Sequence, residues 1–346
     1  MPLSQIAPLQ RGFDLPTDKV SYGVFPVVYS NGILRSHNEY KCVAPGVITG
    51  RSGTIGKFTF ISSGFYWPHN TSLWVTDFCD NYPLFIYYLY QSINIEQFAT
   101  GSGVPTLNRN DVHRYKTSIP DYEEQEKIAK FLQLIDERIA TQRRLIEDLE
   151  KLKSSIANRC YRGDANIQLG DFITQVSNRN KSNHPYKVMS VSNIRGFIPQ
   201  SEQFVDREIV SENTTSYKIV SEDLFAYNPA RINIGSIARY KDNKVGIVSP
   251  MYVCFKVGGQ MHPQFLEYFF QTHRFKSDVE MRLEGSVRRC LNFDALCEIE
   301  IPEFQLSKQV AISSALETIN RKITLEEDIL SQINKQRKYL LSNMFM

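Results

Sequence analysis

An apolar seam runs through two long charged segments of the chain. In the first, Ile128, Leu132, Ile135, Ile139, Gln142, Ile146, Leu149, Lys153, Ile156 and Cys160 follow one another at alternating spacings of four and three. In the second, Ile319, Ile323, Glu326, Leu330, Ile333, Arg337, Leu340 and Met344 do the same. This alternation keeps one face of an α-helix apolar between charged flanks, which is the pattern of a coiled-coil seam. It predicts two helices of roughly forty residues, each about 60 Å long at 1.5 Å per residue.

The two segments are copies of one text. From Ile119-Pro120 the chain reads IPDYEEQEKIAKFLQLIDERI, and from Ile301-Pro302 it reads IPEFQLSKQVAISSALETINRKI. Each follows a Gly-Ser and a Leu-Asn pair: Gly101-Ser102 and Leu107-Asn108 first, Gly285-Ser286 and Leu291-Asn292 second. An offset of about 184 residues marks a duplicated unit of globular domain plus helix, the kind of repeat that decides a whole architecture.

Ahead of each helix the period shortens to that of strands. Val24–Tyr29, Gly46–Thr49 and Lys57–Ile61 are rich in β-branched and aromatic residues and are separated by Gly, Asn and Ser-Gly turns. Tyr186–Val191, Val245–Val248 and Tyr252–Val257 repeat the plan. Pro83–Ser92 and Pro263–Thr272 read as matching buried helices that open on proline. The predicted fold class is α+β: two similar globular domains, at 1–120 and 163–303, separated by two long helices, at 121–162 and 304–346. These form an intramolecular antiparallel coiled coil in a pseudo-two-fold repeat.

The polar breaks in the seams argue for that direction. Gln142 and Glu326 occupy equivalent places, as do Lys153 and Arg337, so parallel helices in register would bury Lys153 against Arg337. An antiparallel register in which partner numbers add to 479 sets Lys153 against Glu326 and Gln142 against Arg337. Tyr161-Arg162-Gly163 offers the first helix a glycine stop.

Composition narrows the chemistry. At 346 residues and a net charge of +3 the chain is only mildly basic, so a nucleic-acid partner requires the charge to be sorted in space. Its six cysteines form no CxxC pair, which fits buried thiols in a reducing cytosol better than a zinc site. No secretory pattern or membrane-length apolar run stands out, so the expected location is cytoplasmic, with no membrane partner. Gly50–Gly56 is glycine-rich but Gly56-Lys57 is followed by Phe58, where a phosphate-binding loop has Ser or Thr. Asn228-Pro229-Ala230-Arg231 lacks the aromatic fourth residue of the amino-methyltransferase tetrapeptide. The six histidines are scattered. With no catalytic or metal residues to assign, the chain is read as non-catalytic.

What recurs is a set of loops mixing Arg, Asn, Ser, Thr and Gly beside strands. The candidate DNA contacts in the first domain are Arg11, Asn31, Arg51, Ser52, Thr54, Asn108 and Arg109. In the second they are Asn193, Arg195, Tyr227, Asn228, Arg231, Asn233, Ser286, Arg288 and Arg289. Arginine reads guanine with two donors, asparagine reads adenine, and hydroxyls hold phosphates. Any one such loop could be a solvated turn; matched sets in both copies strengthen the collective reading.

Together these features resemble the specificity (S) subunits of type I restriction–modification systems. The resemblance rests on Ile119-Pro120, Glu124-Gln125, Ile128-Ala129, the seam and Tyr161-Arg162-Gly163, and on the stretch from Phe225 to Gly235. The second copy departs from it, with Gln305-Leu306-Ser307-Lys308 where the first has Glu-Glu-Gln. The resemblance implies a DNA-recognition subunit that reads a split, asymmetric double-stranded target, one half per domain, with the coiled coil setting the gap. It implies docking to two modification (M) subunits and assembly with restriction (R) subunits. S-adenosylmethionine and ATP belong to those partners, and this chain holds no cofactor. A coiled-coil scaffold with protein-binding ends is the alternative, and it predicts binding that salt barely changes.

Overall fold

The computed structural model describes residues 1–101, 103–163, 166–203, 213–285 and 289–345. They fall into two compact units, one of residues 1–144 with 327–346 and one of residues 145–326.

In the first unit a short helix α1 (Leu3–Ile6) leads into eight strands. These are β1 (Leu9–Arg11), β2 (Phe25–Tyr29), β3 (Gly32–His37), β4 (Cys42–Val43), β5 (Gly46–Gly50), β6 (Phe58–Ile61), β7 (Phe65–Pro68) and β8 (Ser72–Val75). They form two four-stranded sheets, in the orders β1-β8-β5-β6 and β3-β2-β7-β4. Helix α2 (Pro83–Ser92), the ribbon β9 (Ala99–Thr100) and β10 (Thr106–Leu107), and the short helix α3 (Arg109–His113) lead to the long helix α4 (Tyr122–Cys160).

The second unit repeats this order. Its strands β11 (Asn166–Gln168), β12 (Ile173–Val176), β13 (Lys187–Ser192) and β14 (Gly196–Pro199) precede helix α5 (Gln200–Gln203). Then come β15 (Lys218–Val220), β16 (Phe225–Tyr227), β17 (Ile237–Arg239), β18 (Gly246–Val248) and β19 (Val253–Val257). The sheets run β12-β19-β16-β17 and β14-β13-β18-β15, which matches the first unit strand for strand. Even the parallel pair recurs, β2 with β7 and β13 with β18. Helices α6 (Pro263–Phe269), α7 (His273–Arg282) and α8 (Phe293–Cys297), strand β20 (Glu300–Pro302) and the long helix α9 (Leu306–Asn343) complete it.

The helix expected over Pro263–Thr272 ends at Phe269 and a new one begins at His273. Thr272 causes the break, because its Oγ1 accepts the Phe275 N–H at 3.2 Å and so caps the second helix.

Each core is built on the proline-led helix. In the first unit Phe85, Ile86, Tyr88 and Leu89 of α2 share one apolar cluster with Val47, Leu73, Ala129, Leu132 and Leu341. In the second, Phe265, Leu266 and Phe269 of α6 share theirs with Phe225, Phe255, Ala157, Ile312 and Leu316. The start of α4 therefore lies with the end of α9 in one unit, and the end of α4 with the start of α9 in the other. The two long helices run antiparallel, as a coiled coil.

The register differs from the expected one. Arg337 pairs with Asp136 through Nε and, at 3.2 Å, through Nη2; Lys153 Nζ donates to Asn320 Oδ1 at 2.7 Å. Partner numbers add to 473 at both contacts, so the expected pairing of Lys153 with Glu326 is corrected to Asn320, and Arg337 meets Asp136. Glu326 is buried and is met by Lys322 one turn back. The cause is a third element beside each seam. Arg337 Nη2 also donates to Gln91 of α2 at 2.9 Å, and Lys153 lies 5.5 Å from the Tyr268 ring of α6. Those helices supply partners that two isolated helices would lack.

Candidate nucleic-acid interface

In the first unit the parallel strands β2 and β7 of one sheet deliver their exit turns beside the end of β5 in the other sheet. Thr71 gathers them. Its Oγ1 accepts from Ser30 N at 3.3 Å, and its carbonyl accepts from Arg51 N at 2.8 Å and Ser52 N at 3.3 Å. Leu107 N donates to Arg51 O at 2.7 Å, which adds the β10 segment, and Lys57 Nζ donates to Asn31 O at 2.6 Å. Gly50 is required here, since a Cβ would lie 1.7 Å from the Thr54 carbonyl as the loop folds back.

Five expected contacts thus converge: Arg11, Asn31, Arg51, Ser52 and Thr54. Asn31 and Thr54 are exposed, and Arg51 and Ser52 are half-buried. Arg11 is exposed but paired with Asp14 at 3.0 Å, and Asp14 also accepts from Asn70. Asn108 and exposed Arg109 adjoin the cluster through Leu107, and Asn108 Oδ1 caps α3 by accepting from Asn110 N at 3.0 Å.

His69 pins the loops from beneath and was missed from the sequence. Its Nε2 meets Leu15 O at 3.3 Å, its Nδ1 meets Thr71 Oγ1 at 3.0 Å, and its ring centroid lies 4.3 Å from that of Tyr29, tilted by 35°. Burial lowers its pKa despite the nearby Asp14. A lone histidine among loop residues carries no sequence signal of such a role. Lys57 opens a strand pattern in the sequence, and nothing there marks it as a partner of the Asn31 turn.

The second unit assembles the same three loops. Asn193 and Arg195 are exposed in the β13–β14 turn, whose Ser192 Oγ accepts from the N–H of both Ile194 and Arg195 at 3.3 Å. The β16–β17 loop leans on that turn through Ser236 Oγ, which donates to Val191 O at 2.9 Å. Gly235 holds φ 96° there, close under the Asn193 carbonyl. Leu291 N donates to Pro229 O at 3.0 Å, repeating the bond of Leu107 to Arg51. Beside it lies an open cavity of about 670 Å³ lined by Gln175, Pro229, Val253, Glu284 and Leu291.

Arg231 is exposed at the tip of this loop and Asn233 is half-buried. Arg195 is paired with Glu202 at 3.4 Å and Arg289 with Glu280 at 3.5 Å. Ser286 and Arg288 lie outside the described residues. Two expectations are corrected. Tyr227 is fully buried, with its hydroxyl donating to Leu291 O at 3.2 Å, and it belongs to the core. Asn228 is buried too; its Oδ1 accepts from Ala230 N at 3.1 Å and shapes the turn that exposes Arg231. An aromatic or amide next to arginines reads like a contact, and only burial separates wall from surface.

Residues 1–151 match the protein-family model described as Type I restriction modification DNA specificity domain. The chain resembles this family over that first part. It is 22% identical over 289 residues to the Type I restriction enzyme MjaVIII specificity subunit of Methanocaldococcus jannaschii, covering 74% of this chain and 68% of that one. Its fold is similar to the crystal structure of a type I restriction-modification system S subunit from M. genitalium. That similarity has a TM-score of 0.63 and 14% identity, over 100% of this chain and 95% of the other. It is also similar to a chain from a structural study of complex assembly and conformational transition of the type I R-M system. There the TM-score is 0.60 and the identity 13%, over 99% and 95% of the two chains. The family match covers the first globular domain and most of α4. The second copy of the specificity fold, beyond residue 151, is recognised by its strand order and its loop bonds.

Among the described residues no group of three or more His, Cys, Asp or Glu could hold a metal ion. No helix among them is long and apolar enough to cross a membrane.

Proposed function

We propose that this chain is the non-catalytic DNA-recognition subunit of a cytoplasmic type I restriction–modification complex. Each globular domain reads one half of a split, asymmetric double-stranded target, and the joined helices set the gap. The observation that carries this reading is the duplicated loop cluster, held by one hydrogen bond in two copies and presenting Arg51 and Arg109 in one unit and Arg231 in the other. Arginines on rigidly held turns, exposed at 109 and 231 and half-buried at 51, suit bidentate base contacts, and the neighbouring hydroxyls and amides suit phosphates. Exposed Phe131 and Leu134 in the first unit, and Leu145 and Leu152 in the second, place apolar side chains on otherwise charged turns of α4. They suit the docking of two M subunits, with R subunits joining that complex. S-adenosylmethionine and ATP are assigned to those partners.

The test is methylation mapping of cells that express the chain with its neighbouring methyltransferase, against cells lacking the chain. A split adenine-methylated motif that disappears with the chain is the expected result. Unchanged methylation, together with binding to a protein partner that salt does not weaken, would return the chain to a scaffold role.

A further inference from the structure

Two buried glutamines join each globular domain to its long helix in the same way. Gln125 and Gln309 are each 2% exposed and sit in the first turns of α4 and α9. Gln125 Oε1 accepts the N–H of Tyr82 at 2.9 Å, and its Nε2 donates to Asn81 Oδ1 at 2.8 Å and Pro120 O at 3.0 Å. Gln309 Oε1 accepts the N–H of His262 at 2.8 Å, and its Nε2 donates to Gln260 O at 2.9 Å and Phe304 O at 2.8 Å. Tyr82 and His262 are the residues that precede the prolines of α2 and α6. The second helix thus keeps the glutamine although the residues before it differ from the first copy.

A second tie stands further along each helix. Tyr88 of α2 donates to Asp136 of α4 at 2.9 Å, and Tyr268 of α6 donates to Glu317 of α9 at 2.7 Å. One attachment would leave a pivot, whereas two attachments about two to three turns apart hold an angle. The core helix that each glutamine grips also carries the apolar packing beneath the sheets, so the angle is passed on to the loops.

We infer that Gln125 and Gln309 are positioning residues that hold each recognition domain at one angle to its helix, and so make the protein strict about the separation between half-sites. This rests on the reading of a bipartite target. The full chain would be titrated with duplexes carrying its methylated motif at the native gap and with one base pair added or removed. Wild type is expected to lose about tenfold or more in affinity at either altered gap, as one half-site falls out of reach. Gln125→Ala and Gln309→Ala are expected to bind the native gap within about threefold of wild type while discriminating gaps about threefold or less. Hydrogen exchange gives an independent readout, in which the Tyr82 or His262 amide loses protection while the rest of α2 or α6 keeps it. A folded variant with that amide deprotected and the gap penalty intact overturns the inference. Should wild type bind all gaps alike, the bipartite reading fails first and the inference with it. If Gln125→Ala does not fold, Tyr88→Phe, which removes only the hydroxyl of the second tie, carries the same expectation and the same refutation.

Discussion

Arg337 forks onto Asp136 across the coiled coil, Nε to one carboxylate oxygen and Nη2 to the other at 3.2 Å. In the second copy of the repeat the same two places hold Lys153 and Asn320, bonded at 2.7 Å. One contact is an ion pair about a quarter to a third exposed; the other joins a cation to a neutral amide. Burial lowers the Lys153 pKa, with Glu267 and Glu317 only partly offsetting it. The duplication has kept the position of the contact and changed its charge.

Swapping the acceptors should therefore act in opposite directions. Asp136→Asn removes a two-pronged ionic acceptor and is expected to destabilise by about 1 kcal/mol, discounted for partial exposure. Asn320→Asp gives Lys153 a carboxylate and is expected to raise the melting temperature. Calorimetry on both variants at low salt checks this, and shifts of the same sign would sink the account.

Acid should weaken the fold through two half-buried histidines. Burial lowers the pKa of His113, with the Arg109 charge adding to it, and burial lowers that of His69. His113 Nε2 also accepts the Leu9 N–H at 2.8 Å, which only the unprotonated nitrogen can do. The unfolded chain therefore binds more protons than the folded one between the lowered values and about 6.5. The stabilising contribution is complete above that range and is lost as pH falls through it. Melting temperatures from pH 8 to pH 5.5 should fall, and His113→Gln should flatten part of the fall. A wild-type profile that is level over this range contradicts the assignment.

Specificity should divide by unit. Arg231→Ala is expected to cost about 1–3 kcal/mol of binding and relax one half-site, and Arg51→Ala to do so for the other. Binding to a library randomised at one half-site at a time separates them. Equal weakening on every sequence would make the residue a phosphate contact, with a smaller salt slope.

Tyr227 should behave as a wall. Tyr227→Phe loses the hydroxyl bond to Leu291 and about 1 kcal/mol of stability, with sequence preference unchanged. A change of preference without loss of stability would restore it as a contact.

Much of the architecture was legible because it depends on periodicity. The four-three seam is a local property of a helix, and every residue assigned to it is buried or half-buried. Strand patterns survived for the same reason: Val27, Val28, Val47 and Ile48 alternate or cluster as a packed sheet requires. The duplication was visible as text, and it foretold two similar domains with matching loop sets.

Register and surface were not legible, since both depend on neighbours distant in sequence. The 479 register weighed the two long helices alone, whereas Gln91 and Tyr268 on the packed domain helices redirect Arg337 and Lys153. Tyr227 and Asn228 had the composition of a binding loop, yet the fold turns them inward and leaves Arg231 outside. The sequence by itself determined a repeated α+β chain with two antiparallel helices, because spacing is encoded one residue at a time. Only the tertiary structure decided which polar groups meet across the seam and which loop residues face outward. Those outcomes depend on packing against elements distant in sequence, 64 residues away for Tyr227 and Leu291 and 246 for Arg337 and Gln91.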